Sequence, residues 1–437
     1  MKIKFFGGTK EVGRSCILVE DNDTKVVLDC GIKLGDPNEF PTIPDHELQG
    51  VDAVIVSHAH LDHVGYLPHI FSKKWNGHAY MTKPTFELAN VLVKDYIHIS
   101  NPKEVTNEGL NKMQKYTKFL EFNEETQVKG LKIRLFKAGH ILGSAMIHLD
   151  NGRETVLYTG DINLRSTKIL DGVNTEHLQA QTLITESTYG GNEDIFPSEK
   201  KITSDMVQSI AETLKIGGKV IIPSFGVGRA QEVLLMLDDY VKSGIIPKVN
   251  IYTDGMINKA MRIHRHNVIY CKEELQKRIL LSEDDPFKSV NFHDVDNVSV
   301  RKKVMRSDEA SIIVTTSGML TGGPVLRYLE GLSKYSENKL ILVGYQGEGT
   351  LGRKIQDGEK EVEIKGRKVQ IKMGVETYHL SAHADREQLI KLVSKVNDLQ
   401  NVFIVHGEGK KTQEFHDAIS GNKYKVHVPE IGQEFSV

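Results

Sequence analysis

Four apolar runs in this chain end on a histidine or an aspartate, and this feature limits the folds open to it. Ala53–Val56 runs directly into SHAHLDHVG (Ser57 to Gly65), LFKAGH ends at His140, VLYTGD at Asp161 and FIVH at His406. Short apolar runs beside glycine have the length of buried strands. A chain that repeatedly stops such strands on polar, glycine-rich loops predicts a layered α/β unit with its chemistry at strand ends.

The rest of the chain agrees with this reading. KIKFF, SCILVE and KVVLDCG predict strands in the first fifty residues, and ELANVLVKDYIHI (Glu87 to Ile99) carries apolar residues at helical spacing. LKIRLFKAG and ETVLYTGD read as further strands. After about Ser198 the grammar changes to strand, glycine loop, helix: KVIIPSFGVG with RAQEVLLMLDDYVKSG, then VNIYTDGMINKAMRIH, then SIIVTTSGMLTGGPVLRYL, closed by LILVGYQGEGTLGRKI. Three such units predict a parallel sheet with crossover helices, a Rossmann-like domain. Past Lys372 two runs, VETYHLSAHAD and NVFIVHGEG, again end in histidine, so the chain is expected to return to its first unit and the middle domain to be an insertion. The expected divisions are residues 1–197, 198–374 and 375–437.

His58, His60 and Asp62 alternate, so an extended backbone would send all three the same way, with His63 beside them as a helix begins. Two readings are open for this stretch, a His-rich polar turn and half of a metal site. The complete H-x-H-x-D-H pattern directly after an apolar strand favours the metal. His140, Asp161 and His406 would each, taken singly, read as capping or hydrogen-bonded residues, but their shared placement makes them partners of the first cluster. The other histidines serve as background, among them His69, His78, His98, His148, His177, His293, His416 and His427 of the 18 present. Cys16, Cys30 and Cys271 form no CxxC pair and leave an odd count, so a disulfide framework and a thiolate metal site are both disfavoured.

HAHLDH, AGHILGS, TGD and VHGE resemble the metal motifs of the metallo-β-lactamase superfamily. TESTYGG, PSFGVGRAQE, TSGMLTGGP, GYQGEGTLGR and LSAHAD resemble those of its β-CASP nuclease branch, in particular stand-alone prokaryotic relatives of the endonuclease subunit of the cleavage and polyadenylation specificity factor. The resemblance implies an αββα sandwich with an inserted Rossmann-like β-CASP domain. It implies two Zn2+ ions per chain, one held by His58, His60 and His140 and the other by Asp62, His63 and His406, with Asp161 bridging. Asp29 in LDCG matches a carboxylate that orients ligands, and from sequence alone it reads equally as a turn aspartate. His383 in LSAHAD would be the proton donor, oriented by Glu186 in TESTYGG. By spacing alone His383 is as readily a structural hydrogen-bonding residue.

Two Zn2+ (+4) and two carboxylates (−2) leave +2, and a bridging hydroxide leaves +1, so the centre attracts an anion. A phosphodiester provides one, and a hydroxide whose pKa zinc has lowered to ~7 is the nucleophile. The expected activity is hydrolysis of single-stranded RNA, mainly endonucleolytic, with Asp62 and Asp161 serving catalysis as ligands. Arg229, Ser317, Gly318 and Arg353 are expected to bind substrate phosphates, the glycine loops offering N–H groups at helix starts. Each of the four also reads as part of a tight turn or a boundary ion pair.

Other functions compete with this one. A 5′ to 3′ exoribonuclease is the near variant, but the related ribonuclease J group carries a further carboxy-terminal domain where this chain stops soon after VHGE. A thioester or lactone hydrolase on the same scaffold has no need of so large an insert. A metal-free RNA-binding scaffold is disfavoured because every ligand position is filled. Archaeal relatives often begin with KH domains and this chain begins with a strand, so sequence preference is not inferred. With 39% hydrophobic and 26% charged residues and a net charge of −2, the chain reads as globular and shows no overall polyanion-binding character. RIHRH (Arg262 to His266) and RKKVMR (Arg301 to Arg306) read as solvated helix faces. No stretch has the length of a secretory signal or a membrane span, so a cytoplasmic location with no membrane partner is expected, and a homodimer is compatible with the sequence.

Overall fold

Alternating apolar residues set the architecture of the first unit. In the computed structural model, which describes residues 1–73, 75–282 and 284–437, the chain forms two compact units. The first comprises Met1–Ser166, Leu170–Ile195 and His383–Val437, and the second Thr167–Ile169 and Phe196–Ala382. The second unit is thus inserted into the first.

The first unit holds two seven-stranded sheets. One runs Glu434–Ser436, Lys2–Gly7, Cys16–Asp21, Thr24–Leu28, Ala53–Ile55, His78–Met81 and Thr117–Phe119 in spatial order. The other runs Lys425–His427, Asn401–Val405, Thr182–Glu186, Thr155–Tyr158, Ala145–Asp150, Leu131–Lys137 and Glu125–Val128. Ile3, Phe5, Ile17, Val26 and Leu28 from the first sheet meet Ile133, Leu135, Ile147, Val156, Tyr158 and Phe403 from the second in one buried core. The intervening residues Met146, Leu157, Leu183, Val402 and Ile404 point the opposite way, into a second core with Leu389, Leu392, Val393, Phe415 and Ile419 of helices Arg386–Lys395 and Gly409–Ile419. That period of two makes the second sheet two-sided. Helices Leu67–Ser72, Lys83–Ser100 and Asn107–Tyr116 pack with one another, the last also against His78–Met81, giving a helix, sheet, sheet, helix sandwich.

The second unit is built on six parallel strands in the order Phe292–Val295, Asn250–Asp254, Ser311–Thr315, Lys219–Pro223, Lys339–Leu342 and Gly374–Thr377. The crossover helices are those the strand, loop, helix repeats announce, including Arg229–Lys242 and Ile257–His266. VETYH differs from its expected place. Gly374–Thr377 pairs in parallel with Lys339–Leu342, and Glu376 accepts from Lys339 Nζ (2.6 Å) and Ser209 Oγ (2.5 Å), so strand pairing and a half-buried ion pair fix this strand in the second unit. The chain re-enters the first unit at His383. No helix among the described residues is long and apolar enough to cross a membrane.

Candidate metal centre

Each expected ligand is delivered by a loop whose geometry its neighbours dictate. Ala53–Ile55 ends in the run Ser57–His60, and Leu61–Val64 forms a single helical turn. Asp62 and His63 therefore arrive on that turn, whereas alternation along an extended strand would have placed Asp62 with His58 and His60. In AGHILGS the Ser144 hydroxyl accepts from the N–H groups of His140 (3.1 Å) and Ile141 (3.2 Å), which curls the loop and presents His140. Gly160, at φ +53°, precedes Asp161, and a Cβ there would lie 2.6 Å from Ser57 Cβ, so only glycine fits. His406 follows strand Asn401–Val405 at φ +50° and donates its backbone N–H to the Gly8 carbonyl (2.6 Å).

The seven side chains converge in two groups that share Asp161: His58, His60, His140 and Asp161, and Asp62, His63, His406 and Asp161. Within each group the candidate donor atoms lie within 4.8 Å of one another. Asp161 faces both ways. Its Oδ2 is 3.4 Å from His58 Nε2 and 3.7 Å from His140 Nε2, and its Oδ1 is 3.3 Å from His63 Nε2 and 3.2 Å from His406 Nδ1. His406 Nε2 lies 3.3 Å from Asp62 Oδ2, and His140 Nε2 lies 3.1 Å from His60 Nδ1.

The donor set fits a pair of divalent cations. Ten buried side-chain polar atoms lack a hydrogen-bond partner among the described residues, and four of them are here: His58 Nε2, His63 Nε2, His406 Nε2 and Asp161 Oδ1. Orphaned buried polar atoms are costly, so four converging on one point mark a place for a cation. Five imidazoles and two carboxylates without sulfur suit zinc and its neighbours. In the protein alone the electrostatics are strained. Burial and the neighbouring His63 push His58 well below the ordinary histidine range. Burial opposes charge on His63, yet Asp161, Asp29 and Asp62 hold it well above that range. Burial likewise opposes charge on Asp161, but His406, His63 and His58 keep its carboxyl low.

Behind the ligands, Asp29 is fully buried, and its Oδ2 accepts from His63 Nδ1 at 2.7 Å. Beside them, Glu186 is also fully buried and accepts from His383 Nδ1 at 3.0 and 3.1 Å and from the Ile162 N–H at 2.7 Å. His383 sits with its ring 4.5 Å from that of His140 and its Nδ1 4.0 Å from Asp161 Oδ2. Burial lowers its pKa, but Glu186, with smaller contributions from Asp161 and Asp62, raises it to about 9. In the protein alone the buried Glu186 carboxylate thus favours the imidazolium form.

Sequence reasoning passed over several supporting residues. Ser57 and Tyr158 bond to Asp29. Thr188 Oγ1 bonds to the His406 carbonyl (3.2 Å). Three contacts staple the Asp161 loop to the His383 segment: Ala384 N–H to the Ile162 carbonyl (2.6 Å), Leu164 N–H to Gln388 Oε1 (3.1 Å) and Arg165 to Asp385. Thr188 follows directly on TES and Asp385 closes LSAHAD, so position within a motif was the available signal for both.

The expected substrate-binding residues all lie in the second unit. Arg229 is buried as the first residue of its helix, and the Gly228 N–H is already capped by Gln231 Oε1 (2.7 Å). Ser317 and Gly318 belong to a loop closed by Ser317 Oγ on Gly322, and the next helix begins only at Val325. Arg353 is exposed and pairs with Asp357 at 2.9 Å.

Three family profiles match along the chain. The Metallo-beta-lactamase superfamily profile matches residues 9–213, the Beta-Casp domain 230–355, and the Zn-dependent metallo-hydrolase RNA specificity domain 368–429. The chain is 39% identical over 436 residues to the transcription termination factor FttA of Methanocaldococcus jannaschii, covering 96% of this chain and 69% of that one. It is 38% identical over 414 residues to an RNase J-like protein of the same organism, covering 94% of each. A crystal structure of a protein of unknown function from Enterococcus faecalis V583 shares the fold at a TM-score of 0.59 and 12% identity, covering 99% of both chains.

Proposed function

Since the chain belongs to the β-CASP family of the metallo-β-lactamase superfamily, and so to the metal-dependent hydrolases, we propose that it is a dizinc ribonuclease cutting single-stranded RNA, mainly endonucleolytically. The observation that carries this reading is the pairing of a two-cation cradle with a histidine held by a buried carboxylate at its edge. Two divalent cations, when bound, supply Lewis-acid polarisation of a phosphoryl oxygen and activation of water near neutral pH. The chain's own residues do the rest. His58, His60 and His140 would hold one cation and Asp62, His63 and His406 the other, with Asp161 as the ligand common to both. His383 holds a proton on its imidazole and delivers it to the leaving ribose oxygen. Glu186 fixes the ring and its charge. Arg229, Ser317, Gly318 and Arg353 bind substrate phosphates in this reading.

The RNA specificity profile at residues 368–429 supports RNA as the substrate class, and the name of the archaeal termination factors supports transcripts as its source. Transcripts as the substrate support a cytoplasmic location. All seven candidate ligands come from one chain, so the cradle itself is complete within a single copy.

Purified protein loaded with zinc is expected to cut single-stranded RNA internally, and His60→Ala or Asp161→Ala to lower the rate by at least ~10³-fold while removing metal. Unchanged cleavage by both variants overturns the assignment. The RNase J-like relative, matched over nearly its whole length, favours a 5′ to 3′ exonucleolytic mode as the second reading. Single nucleotides released in order from a 5′-labelled strand would establish that mode instead.

A further inference from the structure

Besides the shared ligand Asp161, a second carboxylate, Asp29, links the two cation half-sites. Asp29 is 0% exposed and accepts four hydrogen bonds: the Ser57 N–H on Oδ1 (2.6 Å), and Ser57 Oγ (2.7 Å), His63 Nδ1 (2.7 Å) and Tyr158 Oη (2.8 Å) on Oδ2. Ser57 Oγ also lies 3.1 Å from His58 Nδ1. A serine hydroxyl has one proton, and here it is spent on Asp29. The His58 contact therefore has Nδ1–H as donor and the serine oxygen as acceptor. His63 Nδ1 must carry a proton for the same reason, because it faces a carboxylate. In the neutral form that a cation requires, both imidazoles are thereby held in the tautomer that leaves Nε2 with a lone pair, and His58 Nε2 and His63 Nε2 are two of the orphaned buried atoms of the centre.

His58 belongs to one group of donors and His63 to the other. Tyr158 ends the strand that leads to Asp161, and burial together with Asp29 keeps its hydroxyl protonated as a donor. We infer that Ser57 is a positioning residue that couples the two half-sites through Asp29, so that a cation bound by His58 pre-orders His63 and the two ions load cooperatively. Fixing His58 locks Ser57 Oγ on Asp29, and an immobile Asp29 holds His63 in its binding orientation. The second ion then meets a ligand whose ordering cost is already met. Tyr158 has a different role. It steadies Asp29 without lying between the half-sites, so its hydroxyl affects both alike.

The inference rests on the metal-binding part of the proposed function and not on its RNA part, so its test is a binding measurement. The metal-free full chain is titrated with Co2+ and followed by visible absorption, with a competing chelator to set the affinity. The wild type is expected to take up two equivalents in one step with a Hill coefficient above 1, the spectrum at one equivalent having the shape of that at two. Ser57→Ala is expected to split loading into two steps with distinct spectra, and to weaken the step assigned to the His58 group by roughly 10- to 100-fold. Tyr158→Phe keeps the ring and the fold, and is expected to shift the midpoint about 10-fold while loading stays a single step. Two independent steps in the wild type overturn the inference, as does a Ser57→Ala protein that loads as the wild type does or weakens uniformly. If Ser57→Ala does not fold, the wild-type and Tyr158→Phe titrations decide alone, since a Tyr158→Phe protein that separates the steps contradicts the assigned path. A protein that loads two cobalt ions cooperatively yet cuts no RNA removes the proposed function and leaves this inference standing.

Discussion

Replacing Glu186 by glutamine tests the acid assignment where the structure gives a magnitude. In the native protein burial disfavours the His383 imidazolium, but two contacts to a buried carboxylate at 3.0 and 3.1 Å raise its pKa from 6.5 to about 9. Glutamine keeps an acceptor for the ring and for the Ile162 N–H but removes the charge. Burial is then opposed only by the weaker contributions of Asp161 and Asp62, and the pKa falls to about 6.5 or below. A displacement of ~2.5 units corresponds to ~3 kcal/mol of lost preference for the protonated form. At pH 7.5 the protonated fraction drops from ~97% to ~9%, roughly a tenfold loss, which widens to roughly 30-fold at pH 8. An acid must be protonated to act, so kcat falls as pH rises through its pKa. Rates of single-stranded RNA cleavage between pH 5.5 and 10 should show the alkaline limb of Glu186→Gln displaced by about two units to lower pH. Cations in the centre lower both curves together, so the separation between them carries the result. Coincident alkaline limbs would refute the role given to this pair.

Three further outcomes follow from the geometry. Stripping the cations with chelator strands four buried polar atoms, so the melting temperature of the first unit should fall and recover on adding zinc. Thr82→Ala removes both the N-cap of helix Lys83–Ser100 and a 2.8 Å bond to the Gly143 carbonyl, a loss of about 1–2 kcal/mol measurable by denaturant titration. Asp254→Ala deprives Arg301 of two bonds (2.6 and 2.8 Å) and Tyr328 of one, and should destabilise the second unit by about 3–5 kcal/mol while metal content stays at the wild-type level.

The centre was legible in the sequence because metal ligation concentrates its demands. His58 opens H-x-H-x-D-H directly after an apolar strand, and His140, Asp161 and His406 share a place at strand ends in glycine-rich loops, so the four could be picked out together. The sandwich and the parallel sheet were legible for a similar reason, since Val156 and Tyr158 alternate with Leu157 and each glycine loop sits between a strand and a helix. Contacts between distant segments leave no local trace. Nothing around Gly374–Thr377 shows that Glu376 will find Lys339, so VETYH resembled a returning strand. Nothing in SHAH shows that Ser57 will hold Asp29, or that Ile162 will present its N–H to Glu186. Alternation misplaced Asp62 because the helix begins one residue before it, at Leu61, sooner than a period of two can register.

The order of the ligands along the chain has a consequence for biosynthesis. Strand Asn401–Val405 fills the slot between Thr182–Glu186 and Lys425–His427, and His406 follows it, so neither the sheet nor the centre can close until the inserted domain has been translated. A ribosome that stalls inside the insert releases a fragment holding His58, His60, His140 and Asp161 but lacking both His383 and His406. Such a fragment, which also holds Asp62 and His63, has six of the seven candidate ligands and lacks the imidazole that bonds to Glu186. The strand that follows the insert thus delivers the ligand that completes the second group of donors.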